Sequence, residues 1–398
     1  MGRRLLHFLG ATILFLAISL LVLPNACNRR EQYTFSGEER VSGSTIISEN
    51  GDSISAYITR FYSRGGIVRT LLGSHFREMW STPVTMPVFS GTFDSLHFNI
   101  VKMGGGQQTT SLKLKDQYGR SFTLRSVDKD QSRALPNFLR KTGIRTLFRD
   151  QASALNPYAA PVAIALAKTA KIPSTDARLF IIPSNNQFPD SLQHIVLNRV
   201  MLLETEPDES WENLEYYGYP AEITDTGEML ERLDHDLRAD FLSYGYCRLF
   251  DVLIGDWDRH GDQWMWAVDS LMVAHPIPMD RDMALYNFSD GLINKLALYI
   301  NPKFQTFEPG FSNLDGYMIN GMEMDTTILP RINRSQWDSL ANELKSRLTE
   351  SAVLHGFRQY PEELYESYGN QHQEVLLRRL QEIDSAAAYL HYRFTSRQ

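Results

Sequence analysis

The sequence predicts an α+β protein of two lobes, sheet-rich in its N-terminal half and helical in its C-terminal half. Three observations predict it. Between residues 96 and 127 the runs LHFNIVKM, TTSLKLK and SFTLRSV are separated by GGGQQ and by a DQYGR turn. Apolar and polar residues alternate in these runs, so they form a three-stranded meander. Beyond about Asp208 the pattern changes to helices and long connections, and Leu242, Tyr246, Leu249, Phe250, Leu253 and Ile254 recur at helical spacing. Finally, 398 residues at 43% hydrophobic composition bury a substantial core, enough for one large bilobal body or two ordinary domains.

Taken in chain order, residues 1–27 open with MGRR, continue through a mostly apolar stretch from Leu5 to Leu23 and reach a small residue before Cys27. Basic, apolar, small is the order of a secretory signal, and a stretch of about 19 residues is also long enough to stay as an anchor. Ala26-Cys27 suggests a lipoprotein site, although Pro24 and Asn25 fit that pattern poorly. The expectation is an exported protein of the cell envelope or periplasm, held at the membrane by this segment or by a lipid on Cys27. Residues 28–55 are polar and suit a tether. The N-lobe then spans residues 56–205. After the meander, residues 132–172 read as helices, with Pro161 as a break or kink. RLFIIP and HIVLNRVMLLE read as strands returning to the sheet. The C-lobe spans 206–398; His235 and Asp236 begin a helix with Asp as its cap, Ser335 with Asp338 resembles a capping box, and Pro361 suits the first turn of a later helix.

A net charge of -7 and a pI near 5.8 offer no general attraction to nucleic acid, and no Lys/Arg tract after the first thirty residues suggests a polyanion groove. With Cys27 lipidated or removed, Cys247 is alone, no intramolecular disulfide forms, and the fold stands on its core.

Function concentrates in residues 251–285, DVLIGDWDRHGDQWMWAVDSLMVAHPIPMDRDMAL, which hold seven aspartates against two arginines among Trp, Met, Ile and Leu. Apolar flanks place the segment inside, where carboxylates are costly unless they meet cations, hydrogen-bond donors or a metal. Trp264 and Trp266 alternate onto one face of a strand and anchor the loop. Upstream, the triplet Gly104, Gly105, Gly106 sits in a hairpin and Arg125 on the third strand, with Leu124 packing on the opposite face. Glycines admit backbone amides to phosphate oxygens, a strand cation neutralises them, and two aspartates orient a nucleophile and hold Mg²⁺.

DRHGDQ at 258–263 followed by PIPMDRD at 276–282 resembles the catalytic and metal-binding loops of the atypical protein-kinase-like superfamily, which includes phosphatidylinositol kinases and HipA-type kinases. GDWDRHGDQW with GGGQQT and LRSVDKD looks closer still to a kinase-like region of bacterial cell-envelope proteins. Over about residues 80–395 the resemblance implies a bilobal protein-kinase-like fold. It implies ATP or another nucleotide with Mg²⁺ or Mn²⁺, and an acceptor that no motif identifies. Asp258 matches the catalytic aspartate, Asp280 the metal aspartate, with Asp282 a second ligand. Gln263 stands where those families usually carry a metal-binding Asn. Arg125 takes the place of the strand Lys, with Lys129 the alternative phosphate cation. No glutamate occurs between Glu78 and Glu204, so the usual helix Glu is missing and Asp150 is the candidate to replace it.

Two other classes stay open. A catalytically inactive, pseudokinase-like binding module explains Gln263 and the missing Glu. A metal-dependent phosphohydrolase using Asp256, Asp258, His260 and Asp280 explains the acids without the glycine hairpin.

Overall fold

The computed structural model describes residues 45–50, 53–104, 111–134, 136, 144–211, 222–233 and 235–395. The apolar N-terminal stretch, Cys27, Gly105 and Gly106 lie outside the described residues. Among the described residues no helix is long and apolar enough to cross a membrane.

The first strands, β1 (Thr45–Asn50), β2 (Ser53–Tyr57) and β3 (Val84–Pro87), form a small antiparallel sheet, so strand pairing begins within the stretch expected as a tether. The meander follows in a six-stranded sheet: β4 (Thr92–Phe93), β5 (Leu96–Gly104), β6 (Ser111–Asp116), β7 (Ser121–Ser126), β8 (Ala177–Ile181) and β9 (Val200–Thr205). The strand order is β4-β5-β6-β7-β9-β8, and every neighbouring pair is antiparallel. One departure from expectation lies before β9. His194–Val196 end a helix, Asp190–Val196, and the strand begins only at Val200. Asn198 at φ 53° makes the connection, a conformation that Asn tolerates better than β-branched residues.

The alternation that marks the strands also gives the sheet two unlike faces. Leu112, Leu114, Phe122, Leu124, Phe180, Met201 and Leu203 are buried together with Ile195 and Trp211. On the other face stand Lys113, Thr123, Arg125 and Glu204, and there Leu202 packs against Ala160 and Ile164 of helix α1 (Ala159–Thr169). Pro161 neither breaks nor kinks α1, because it falls in the first turn, whose N–H groups have no partner inside the helix.

Helices dominate the C-terminal region, as the sequence predicts. The long ones are α2 (Phe241–Ile254), α3 (Arg334–Arg347), α4 (Asn370–Gln381) and α5 (Ile383–Thr395). Four short strands, β10 (Glu222–Asp225), β11 (Arg238–Ala239), β12 (Trp264–Val268) and β13 (Val273–Pro278), form a sheet in the order β10-β12-β13-β11. Helix α2 is capped by Asp240, which accepts from the Ser243 amide, while His235 and Asp236 form a turn before it. It is not amphipathic throughout, since every residue from Tyr244 to Ile254 is buried under α3, α4, α5 and β13. Helix α3 starts at a capping box formed by Asn333 and Gln336, two residues earlier than the Ser335–Asp338 reading. Both pairs have box spacing, and Asn333 wins because its side chain reaches the Gln336 amide at 3.0 Å while Asp338 turns to Arg334.

Candidate active site

The Asp-rich segment is positioned by the end of α2. Gly255 adopts the left-handed conformation at φ 74°, donates to the carbonyls of α2's last turn and lies against Phe307, which closes the helix and turns the chain into Asp256–Gln263. Tyr286 and Phe304 pack edge-on against Trp257, while Trp266 stacks on Tyr244 and Trp264 tilts against it, so the loop is pinned at both ends by rings.

Beneath the loop lies a buried ionic network that the sequence shows only as excess acid. Arg281 reaches Asp251 at 2.6 Å, Arg259 reaches it at 3.2 Å and Arg248 at 3.3 Å. Arg248 also clasps both oxygens of Asp325, which accepts in addition from the Tyr244 hydroxyl. Arg259 donates to the carbonyls of Met279 and Gln263, so one guanidinium ties both functional loops together. Asp251, Asp256 and Asp325 are fully buried. Burial pushes the Asp256 carboxyl up to about 7, against the pull of Arg259. These acids are enclosed by arginines. Asp262 is exposed and Asp269 pairs with His275, which leaves Asp258, Asp280 and Asp282 as the segment's candidates.

Asp258 accepts a hydrogen bond from the Asn320 amide at 2.5 Å. Antiparallel pairing of β12 with β13 sets Trp264 opposite Pro278, so Gln263 lies across from Met279, whose amide donates to the Gln263 carbonyl at 2.9 Å. The loop carrying Asp258 and the turn carrying Asp280 are thereby neighbours. Asp280 has φ 48°, a left-handed conformation that Asp and Asn visit more readily than bulkier residues.

From the sheet, Arg125 meets this turn. Its guanidinium lies 2.5 Å from Asp280, 2.7 Å from Glu204 and 3.7 Å from Asp282, while the Lys129 ammonium pairs with Asp282. Burial would push the Asp280 carboxyl up, but the charges of Arg125 and Lys129 outweigh it and hold that acid far below the usual carboxylate range. Burial and the neighbouring Asp280 charge push Asp282 up to about 6. Burial pushes Glu204 up to about 7 although Arg125 opposes it. Three carboxylates thus face two cations in a desolvated pocket, a field that favours a further positive charge.

Gly104 ends β5 above the same face, where a Cβ would sit 3.1 Å from the Ser111 hydroxyl and 3.7 Å from the Lys113 side chain. Lys113 in turn bonds Thr123 and Glu206. Asp150 does not join Arg125. Its carboxylate is taken by Arg77 at 2.6 and 3.0 Å and by Arg64 at 3.1 Å. Glu204, to which no motif points, is the sheet carboxylate that meets Arg125, beside Asp280. The signal for it was the alternation in VMLLET, which puts Leu202 and Glu204 on the cleft face beside Arg125.

Among the described residues no group of three or more His, Cys, Asp or Glu is arranged to hold a metal by itself. Asp280, Asp282 and the Gln263 side-chain carbonyl, which is buried without a partner, are hard oxygen donors of the kind Mg²⁺ and Mn²⁺ accept when substrate phosphates complete the shell.

No protein-family model matches the chain, and no curated protein matches it. Among solved structures it is similar to the Helicobacter pylori proinflammatory kinase CtkA, with 12% identity and a TM-score of 0.36 over 78% of this chain and 100% of that one. HipA of the Shewanella oneidensis toxin–antitoxin complex with HipB and operator DNA gives 12% and 0.33 over 73% and 67%. The golgi casein kinase gives 12% and 0.35 over 74% and 71%. At these values the likeness carries nothing about individual residues.

Proposed function

We propose that this chain is a kinase-like phosphotransferase that binds a metal–nucleotide between the cleft face of its six-stranded sheet and the Asp258–Asp282 loops. The observation that carries the reading is the meeting of Arg125 with Asp280, a sheet cation and a loop acid brought together from different lobes. In this reading Arg125 and Lys129 bind the nucleotide phosphates beside Gly104 at the end of β5. Asp280 and Asp282, with the Gln263 carbonyl, hold Mg²⁺ or Mn²⁺, which neutralises phosphate charge when bound. Asp258 accepts the proton of, or orients, the attacking hydroxyl. Calorimetric titration of residues 31–398 with ATP and with GTP, each with Mg²⁺ and with EDTA, tests it; the reading requires binding that EDTA abolishes, followed by phosphate transfer to an acceptor or to water.

Gln in place of the usual metal-binding Asn at 263, and the lack of any glutamate in the sequence between Glu78 and Glu204, favour a second reading, a binding module without turnover. Metal–nucleotide binding with no transfer, unchanged by Asp258→Asn, is its signature. The phosphohydrolase reading loses support from Asp256, which is sealed among arginines.

The same proposal puts the protein at a membrane through its N-terminal apolar segment, or through a lipid on Cys27. Fractionation of the full chain tests this: it belongs with the membranes, and recovery in the cytosol sinks it.

A further inference from the structure

We infer that Asn320 is a positioning residue for Asp258, set on it from a part of the chain that carries no recognisable motif. This inference rests on the phosphotransferase reading above. Asn320 lies between the short helices Leu314–Met318 and Met322–Ile328, 62 positions from Asp258, and its side-chain nitrogen meets Asp258 Oδ1 at 2.5 Å. An ionised carboxylate only accepts, so the amide must present N–H to it, and that bond fixes the carboxylate plane while leaving Oδ2 for an acceptor hydroxyl.

The placement of Asn320 is itself enforced. A Cβ on the adjacent Gly321 would lie 3.0 Å from Asp325 Oδ2, 3.1 Å from Arg248 Nη2 and 3.2 Å from the Arg259 carbonyl. The Asn320–Gly321 turn therefore lies directly on the buried network that also holds the catalytic loop through Arg259. The Asp258 amide adds a 3.3 Å contact with Asp256, so the aspartate is oriented from its own backbone side and from Asn320. An unrestrained carboxylate on a loop samples several rotamers, and small misplacement of a reacting group costs rate steeply.

Three measurements on the wild type, Asn320→Ala and Asn320→Asp test the assignment: melting temperature, Kd for Mg-ATP, and the rate of phosphate release or transfer from Mg-ATP. Asn320→Asp keeps size and shape but sets a second carboxylate against Asp258, so the two repel or share a proton and the pH profile of the rate should move. Asn320→Ala should melt near the wild-type temperature, Asn320→Asp somewhat below it, and both should bind Mg-ATP as the wild type does. Both should lose roughly tenfold to a hundredfold in kcat with KM for nucleotide unchanged. A wild-type kcat in both folded variants overturns the positioning role and leaves the phosphotransferase reading standing, as does a loss shared equally by kcat and nucleotide affinity. A wild type that binds Mg-ATP and never turns it over overturns both.

Discussion

The guanidinium of Arg125 lies 2.5 Å from the carboxylate of Asp280, although 155 residues separate them in the chain. One is delivered by the alternation of β7, the other by the turn after β13, and Glu204 shares the same guanidinium at 2.7 Å. Removing Arg125 therefore does more than remove a ligand contact. Arg125→Ala leaves the buried Glu204 and the half-buried Asp280 underpaired, and the expected loss of stability is about 3 to 5 kcal/mol. Arg125→Lys keeps the charge and loses the fork, so it is the variant that reports on nucleotide, weakening affinity by about 1 to 3 kcal/mol at modest cost to folding. Leu124→Ala, on the apolar face, should cost about 2 to 5 kcal/mol of stability and leave nucleotide affinity alone. Denaturant titration and calorimetry on the three variants decide between these outcomes.

Asp280 and Asp258 should separate metal binding from turnover. Asn accepts the left-handed backbone of position 280 as Asp does, so Asp280→Asn changes charge without adding strain. It should raise the Mg²⁺ concentration needed for nucleotide binding. Asp258→Asn should bind Mg-nucleotide normally and lose about 10²- to 10⁴-fold in rate. Equal effects of the two substitutions on binding would refute the division of labour.

The buried ionic network should outweigh the surface pairs. Asp325→Ala removes the carboxylate that both Nε and Nη2 of the fully buried Arg248 bond, leaves it the longer 3.3 Å pair with Asp251, and should cost about 3 to 5 kcal/mol. Breaking the exposed Arg334–Asp338 pair with Asp338→Ala should cost less than about 1 kcal/mol. Thermal unfolding of the two variants distinguishes them without any assay of function.

Two kinds of histidine should give opposite pH dependences. Burial lowers the His275 pKa, but hydrogen bonds to Asp240 at 2.9 Å and Asp269 at 3.1 Å, with both acids' charges, outweigh it and raise the value above 6.5. A raised folded pKa gives stability that is complete below the unfolded value and is lost as pH rises through the folded one. Burial instead lowers His372 to about 4, and burial lowers His75 to about 4 against the pull of Asp290. Their stabilisation is complete above pH 6.5 and is lost as pH falls toward 4. His275→Gln should therefore flatten the decline in stability above neutrality, and His372→Gln the decline below pH 6.5. Unfolding free energies measured from pH 4 to 9 check both signs.

Period-two alternation in the sequence determined the meander, the two faces of the sheet and the direction of Leu124 against Arg125. Helical spacing determined α2, and the Asp-Arg-His and Asp-Arg-Asp loops marked the candidate site. These are properties of neighbouring residues, and a pattern records them because each depends on a few adjacent backbone dihedrals. Tertiary structure alone decided that Asp150 meets Arg77 and Arg64, that Glu204 is the acid on Arg125, that Asn320 reaches Asp258, and that Asp251 and Asp256 are structural. It also decided that Asn333 caps α3 and that His194–Val196 are helical. Every one of the ionic pairings joins a carboxylate to whichever donor packing brings within about 3 Å. Composition shows an excess of acids and arginines, but only packing, which pairs charges 3 to 77 residues apart in the buried network and farther apart in the cleft, sets which charge desolvates beside which.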